Sequence, residues 1–171
     1  MKRILSYLTV ILSLVFLSNA ATAGERDQNA SYDIKFINSM IEHHNQGIEM
    51  FKLASQNTDS KKIKSQVQNL INKDQKDIEK LKSLRSRVAD NASESARLSH
   101  TDNIDMDELR SKTGKDFDEE FLEAAINHSE DAIEISEDAL DKAKNQEVKS
   151  KARAIIEEEK QRIDTFKKIS E

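Results

Sequence analysis

Laid on itself at an offset of 85 residues, the chain aligns without a gap. Phe36-Ile37-Asn38-Ser39-Met40-Ile41-Glu42-His43-His44 then faces Phe121-Leu122-Glu123-Ala124-Ala125-Ile126-Asn127-His128-Ser129. The same offset pairs Ile48-Glu49 with Ile133-Glu134, Ala54 with Ala139, Lys64-Ser65 with Lys149-Ser150, Ile71 with Ile156 and Ile78 with Ile163. Ten of the 46 positions from 36 to 81 are identical. Chance likeness between helices does not usually hold one register across two helices and their connection, so the fold is expected to consist of two like units.

Each unit reads as a helical hairpin. Apolar residues recur at steps of three and four, which places them on one helical face. The first helix is expected over 32–56 and the second over 60–88, after a break at Gln56-Asn57-Thr58-Asp59. The third is expected over 117–143 and the fourth over 147–169, with Asn145 near the turn. Between the hairpins, 89–116 is polar and irregular, with one short turn around Met106 to Leu109. Helices of ~24 residues are about 36 Å long at 1.5 Å per residue, and four of them make an all-α four-helix bundle. Composition agrees. The 171 residues contain no proline, three glycines and 35% charged positions, leaving few turn signals for a many-stranded sheet.

The same counts exclude much chemistry. Without cysteine there are no disulfides, iron–sulfur clusters, thiolate zinc sites or cysteine nucleophiles. Three glycines leave no phosphate-cradling loop. At the start of the chain, Lys2 and Arg3 precede an apolar run from Ile4 to Leu17, and Ala21-Thr22-Ala23 fits a cleavage site. That order describes a signal peptide over 1–23, followed by a disordered mature N-terminus over 24–31 and the bundle over 32–169. Cleavage after Ala23 leaves 148 residues; it removes Lys2 and Arg3 from 27 basic residues, leaving 25 against 32 acidic and a formal charge of −7. A periplasmic or secreted acidic chain with no lasting membrane anchor is expected, ill suited to nucleic acid or anionic membranes.

The seams contain polar residues. Ile34, Ile37, Ile41, His44, Ile48 and Phe51 form one stripe of the first helix; Phe36, Met40, His43, Gly47, Met50 and Ala54 form another. At about 100° per residue the two merge into one wide face that includes both histidines. Gly47 follows one turn later, where any side chain would crowd the space above them. The second helix lines up Ile63, Val67, Leu70, Ile71, Ile78, Leu81 and Val88, with Asp74 at the centre of the arc. The third lines up Phe117, Phe121, Ala125, His128, Ala132, Ile135 and Ala139. Glu159 matches Asp74 on the fourth helix and is the one member of Glu157-Glu158-Glu159 expected to turn inward. Three histidines and two carboxylates should therefore share the core, where polar groups need partners.

Two readings follow. In one, Asp74 and Glu159 accept hydrogen bonds from His43, His44 or His128 and fix helix register. In the other, imidazole and thioether groups bind a metal, with carboxylates behind them or as further ligands; imidazole suits copper, zinc and iron, and methionine shifts the preference to copper(I). His100 belongs to the polar linker and reads as a solvated side chain. A carboxylate di-iron bundle needs Glu-x-x-His on two helices, but Met40, Ile41 and Ala125 precede the three histidines by three positions. Neither a nucleophile with a positioned base nor a glycine-rich oxyanion turn is apparent, so no enzymatic activity is expected.

At Phe36, Met40-Ile41, His43-His44, Gly47-Ile48 and Met50 the sequence resembles the domain of unknown function 305 family, exported bundles with a ferritin-like fold. That family repeats Phe-x-x-x-Met-Ile-x-His-His-x-x-Ala-Ile-x-Met, and its second helix has Gln-x-x-Glu-Ile-x-x-Met. Gly114, Phe117-Asp118 and Phe121-Leu122 also fit its approach to the second copy, so the resemblance spans about 32–169. Some members resemble periplasmic copper-binding proteins, which implies a copper ion held by Met40, His43, His44 and Met50, joined by His128 and Asp74. The second copy departs: Ala125 and Ile135 stand where methionine is usual, and Ser129 where the second histidine is. On the second and fourth helices Asp74 and Glu159 replace glutamine, and Leu81 and Phe166 replace methionine. The resemblance thus implies one site at the first copy rather than a large copper store. The alternative is a structural or protein-interaction bundle that has lost the metal.

Overall fold

The computed structural model describes residues 31–88, 94–99 and 104–171. Helix α1 runs Tyr32–Asn57 and α2 Lys61–Val88; a short α3 covers Met106–Ser111; α4 runs Gly114–Lys142 and α5 Gln146–Ser170. The signal peptide, nearly all of the expected N-terminal tail and His100 lie outside the described residues.

The two turns fall 85 residues apart, the offset of the repeat. Asn57 and Lys142 end the first helix of each hairpin, and Lys61 and Gln146 begin the second. Local chemistry sets these points. At the first turn the Thr58 N–H donates to the Ala54 carbonyl at 3.0 Å, and the Ser60 hydroxyl accepts from Ile63 N at 3.3 Å. At the second, Asn145 caps α5 by accepting from Glu147 N at 2.8 Å and Val148 N at 3.4 Å. A side-chain oxygen that satisfies an otherwise orphaned first-turn N–H is what halts the preceding chain in non-helical geometry.

Helix α4 starts three residues earlier than its apolar pattern indicates, at Gly114, whose φ of 59° is left-handed. Its pattern begins only at Phe117 because the first turn has no core to face. Within the linker, Asp105 caps α3 by accepting from Asp107 N and Glu108 N, and Leu109 of that helix is buried against the Phe117 end of the bundle. The expected turn is thus a helix of one and a half turns.

α1 packs along α2, α4 along α5, and α1 against α4, whereas α2 and α5 barely meet. This is a four-helix bundle of two antiparallel hairpins. The core has two apolar ends. Phe51, Phe117, Phe121, Phe166 and Met50 fill the end near the first turn; Phe36, Ile37, Met40, Leu81, Ala132 and Ile135 fill the other. The aromatic end is locked by edge-on rings, with Phe121 and Phe166 centroids 5.9 Å apart at 88°. Every expected seam residue is buried except Ile41 and Val88, which are half-buried. Between the two ends lies a polar layer.

Candidate functional site

Four pairs of positions, each 85 apart, build that layer: His43 with His128, His44 with Ser129, Asp74 with Glu159, and Asp77 with Arg162. None of the eight is more than 5% exposed. The His43 and His128 rings stack in parallel, centroids 3.6 Å apart and planes within 5°. His43 Nε2 donates to the His128 backbone carbonyl at 2.9 Å. A carbonyl can only accept, so Nε2 holds the proton and Nδ1 the lone pair. The His128 ring is turned toward the His43 backbone, but neither of its nitrogens reaches hydrogen-bond geometry.

The sequence-based pairing of carboxylates with histidines is corrected here. Both carboxylates are held by Arg162, which sequence reasoning missed. Its Nη2 donates to Asp74 Oδ1 at 2.6 Å, and its Nη1 lies 3.3 Å from Glu159 Oε2. The guanidinium also sits over the Phe51 ring, 5.6 Å from its centroid. His44 Nδ1 is 3.9 Å from Asp74 Oδ1, too far for a hydrogen bond, and both His44 ring nitrogens lack a partner. A signal for Arg162 was present: it is in phase with Ile155, Glu159, Ile163 and Phe166, and 85 residues from Asp77 on the α2 seam. As expected, Glu157 is exposed and Glu159 buried.

Burial dominates the protonation states. It pushes His44 well below the usual histidine range, and His43, Arg162 and Lys151 add to the effect. His128 is lowered in the same way, first by burial and then by His43 and Arg162. Both imidazoles are neutral at pH 7. Asp74 and Glu159 are raised, because loss of water outweighs the pull of Arg162.

The expected metal residues divide. His43, His44, His128 and Asp74 share the layer. Met40 is one turn N-terminal to the histidine pair and joins the Phe36 end of the core; Met50 packs in the opposite, aromatic end. Parallel stacking also holds the in-plane lone pairs of His43 and His128 in separate planes. As they stand they cannot meet at one ion. Among the described residues, no group of three or more histidine, aspartate or glutamate side chains is placed to hold a metal.

Gly47 makes room for this stack. A Cβ there would lie 2.9 Å from His128 Nε2 and 3.4 Å from its Cδ2. The crowding inferred from sequence is real, and the crowding group comes from the other hairpin. Gly47→Ala should gain about 1 kcal/mol of helix propensity yet lose more by displacing a packed ring, where overpacking typically costs about 1–3 kcal/mol. A net fall in melting temperature with shifted His128 ring resonances is expected. A more stable variant with an unmoved ring would refute the fit.

No curated protein sequence matches the chain. Among solved structures, a DUF305 protein of Streptomyces coelicolor described as secreted is 16% identical, with a TM-score of 0.68 over 80% of this chain and 90% of that one. CopM in its Cu(I)-bound form is 22% identical, with a TM-score of 0.65 over 81% of this chain and 95% of that one. Its Cu(II)-bound form is 21% identical, with a TM-score of 0.66 over 81% and 96%. At such identities the likeness establishes the bundle fold alone. The sequence itself matches the family described as "Domain of unknown function (DUF305)" over residues 33–170, nearly the whole described chain, and the protein belongs to that family.

Proposed function

We propose that this protein is an exported bundle that binds a soft transition-metal ion, copper(I) first, in the polar layer, and serves in metal binding or tolerance rather than catalysis. The observation that carries the reading is His44, an internal imidazole with two unpartnered nitrogens. A buried polar group without a partner costs roughly 1–3 kcal/mol, and an ion accepting its lone pair would offset that cost. Met40, wholly buried one turn away, adds a thioether, and imidazole with thioether favours copper(I).

Charge is compatible with a cation: Asp74 and Glu159 share the single guanidinium of Arg162, and the third carboxylate of the layer, Asp77, is paired with Lys80 and Lys151. The fold likeness to CopM, solved with Cu(I), Cu(II) and Ag bound, points the same way. Bound there, the ion would accept lone pairs from imidazole and thioether donors. The bond to the His128 carbonyl fixes the His43 tautomer, with the lone pair on Nδ1. Asp74 supplies charge, its Oδ1 being held by Arg162, while His128 and Met50 need side-chain movement to take part. Export rests on Lys2-Arg3, the apolar run and Ala21-Thr22-Ala23.

One observation favours the second reading, a structural or interaction bundle without metal. Arg162 is a permanent cation that already holds both carboxylates. Titration of the chain from Gly24 against a chromogenic copper(I) chelator separates the two. Retention of about one copper(I) per chain, abolished by His43→Ala with His44→Ala, is expected of a single imidazole–thioether site. No retention by the wild type would sink the metal reading. His44→Leu would then raise the melting temperature, as expected of a core position relieved of orphaned nitrogens.

A further inference from the structure

Of the three histidines, His43 is the most exposed, at 5% against 2% for His44 and His128. It forms the floor of a cavity of about 70 Å³ whose walls are Ser39, Glu42, Gln46 and Ile135 and whose roof is Arg97 and Leu98. The roof belongs to segment 94–99 of the linker, which lies across α1 on specific bonds. The Asn38 side-chain amide donates to the Ala96 carbonyl at 2.8 Å, and Leu98 N donates to the Ser39 hydroxyl at 2.9 Å. Arg97 Nη2 meets Glu42 Oε2 at 3.2 Å, both side chains being about four-tenths exposed. Ala96 is buried against Ile34 and Val88, which anchors the segment.

We propose that segment 94–99 is a gate on the route from solvent to His43, with the Arg97–Glu42 pair as its latch. The cation-passing role rests on the metal-binding reading above; the gate itself does not. A cavity this size has room for a few water molecules and not for a chelator or the donor loop of a metal-delivering protein, so direct transfer from such a carrier to His43 requires the roof to move. The charges favour this order. Closed, the mouth is a neutral ion pair whose guanidinium repels cations. Opened, Arg97 leaves and the Glu42 carboxylate stands at the mouth beside the Gln46 amide, an attractive rim for a cation. The Asn38–Ala96 bond and the burial of Ala96 precede Arg97 and Leu98 along the segment, so these two residues can lift while the segment stays anchored at Ala96.

The test uses the chain from Gly24 with Arg97→Ala, Ser39→Ala and, as control, Arg110→Ala, which removes an exposed ion pair to Asp107 on α3. The first readout needs no metal: the rate at which diethyl pyrocarbonate modifies His43, followed by peptide mass spectrometry at pH 7. Arg97→Ala should accelerate it roughly two- to five-fold, the range an exposed ion pair is worth. Ser39→Ala, which frees Leu98 N, should accelerate it by up to about tenfold. The control should match the wild type, and all variants should share the wild-type circular dichroism spectrum. The second readout is copper(I) exchange with a chelator, in which Arg97→Ala should speed uptake and release together and leave the affinity within about two-fold. Equal modification rates in wild type, Arg97→Ala and Ser39→Ala would overturn the gate. Faster modification in chains that retain no copper would uphold the gate and sink only the metal reading.

Discussion

Arg162→Met is expected to destabilise the bundle by about 3–5 kcal/mol, the usual consequence of removing one partner from a buried ion pair. The guanidinium is 4% exposed and faces Asp74 and Glu159, which are 0% and 1% exposed. Without it, two carboxylates would share a buried layer with no counter-charge in contact, and each would have to be protonated at a cost or drag water inside. At roughly 2–4 °C per kcal/mol for a domain of this size, the melting temperature should fall by about 10 °C. A second variant separates charge from shape. Replacing all three at once, Arg162→Met with Asp74→Leu and Glu159→Leu, removes the charges together and should recover most of the loss, because packed apolar groups often replace a buried ion cluster without penalty. Urea unfolding of both variants checks this. A loss under about 1 kcal/mol for Arg162→Met would mean that water, rather than the arginine, neutralises the layer.

The second large effect is loss of stability in mild acid. His44 and His128 are held neutral in the folded chain, well below the ordinary value of 6.5. Below about pH 6.5 the unfolded chain therefore binds more protons than the folded one, and stability falls as pH falls toward the folded values. Each histidine contributes up to about 1.4 kcal/mol per pH unit wherever it is protonated in the unfolded chain and neutral in the folded one, so stability should fall steadily as the pH drops below about 6.5. Asp74 and Glu159 act oppositely. Their folded values are raised above 3.8 and 4.5, so between those values and the raised ones protonation returns stability as the pH drops. The groups facing His44 are Asp74, His43, Arg162, Lys151 and Asp77; those facing His128 are His43, Arg162 and His44. His44→Leu removes one histidine and leaves the carboxylates, so its stability should fall less steeply, by about one histidine's slope. Urea midpoints at pH 7, 6 and 5 decide it, and identical slopes in variant and wild type would contradict the neutral-layer picture.

What the sequence made legible was periodicity. The 85-residue offset located both hairpin turns, and nearly all the seam residues that three-four spacing named on the first, second and fourth helices of the fold are buried, because burial on a long helix follows its angular position. It also placed His43, His44, His128, Asp74 and Glu159 in one layer. Partnership was not legible. Whether a buried carboxylate faces a histidine or an arginine depends on rotation and stagger between helices, which spacing along one helix does not determine. Arg162 was passed over because a long cationic side chain in an acidic, lysine-rich helix reads as solvent-facing, although its phase matched the seam. The start of α4 was misplaced because a first turn without core contacts leaves no periodic trace. The strap over His43 was likewise invisible, since its bonds join a polar linker to polar positions at the edge of α1.

The most direct measurement is ¹⁵N NMR of histidine-labelled chain from Gly24, recorded with and without one equivalent of copper(I), a diamagnetic ion. If the polar layer is the metal site, His43 starts as the Nε2–H tautomer, and copper shifts its Nδ1 together with one ring nitrogen of His44, leaving His100 unchanged. Copper-dependent shifts confined to His100, or no shift at any histidine under conditions where one equivalent is bound, would contradict a metal site in the core of the bundle.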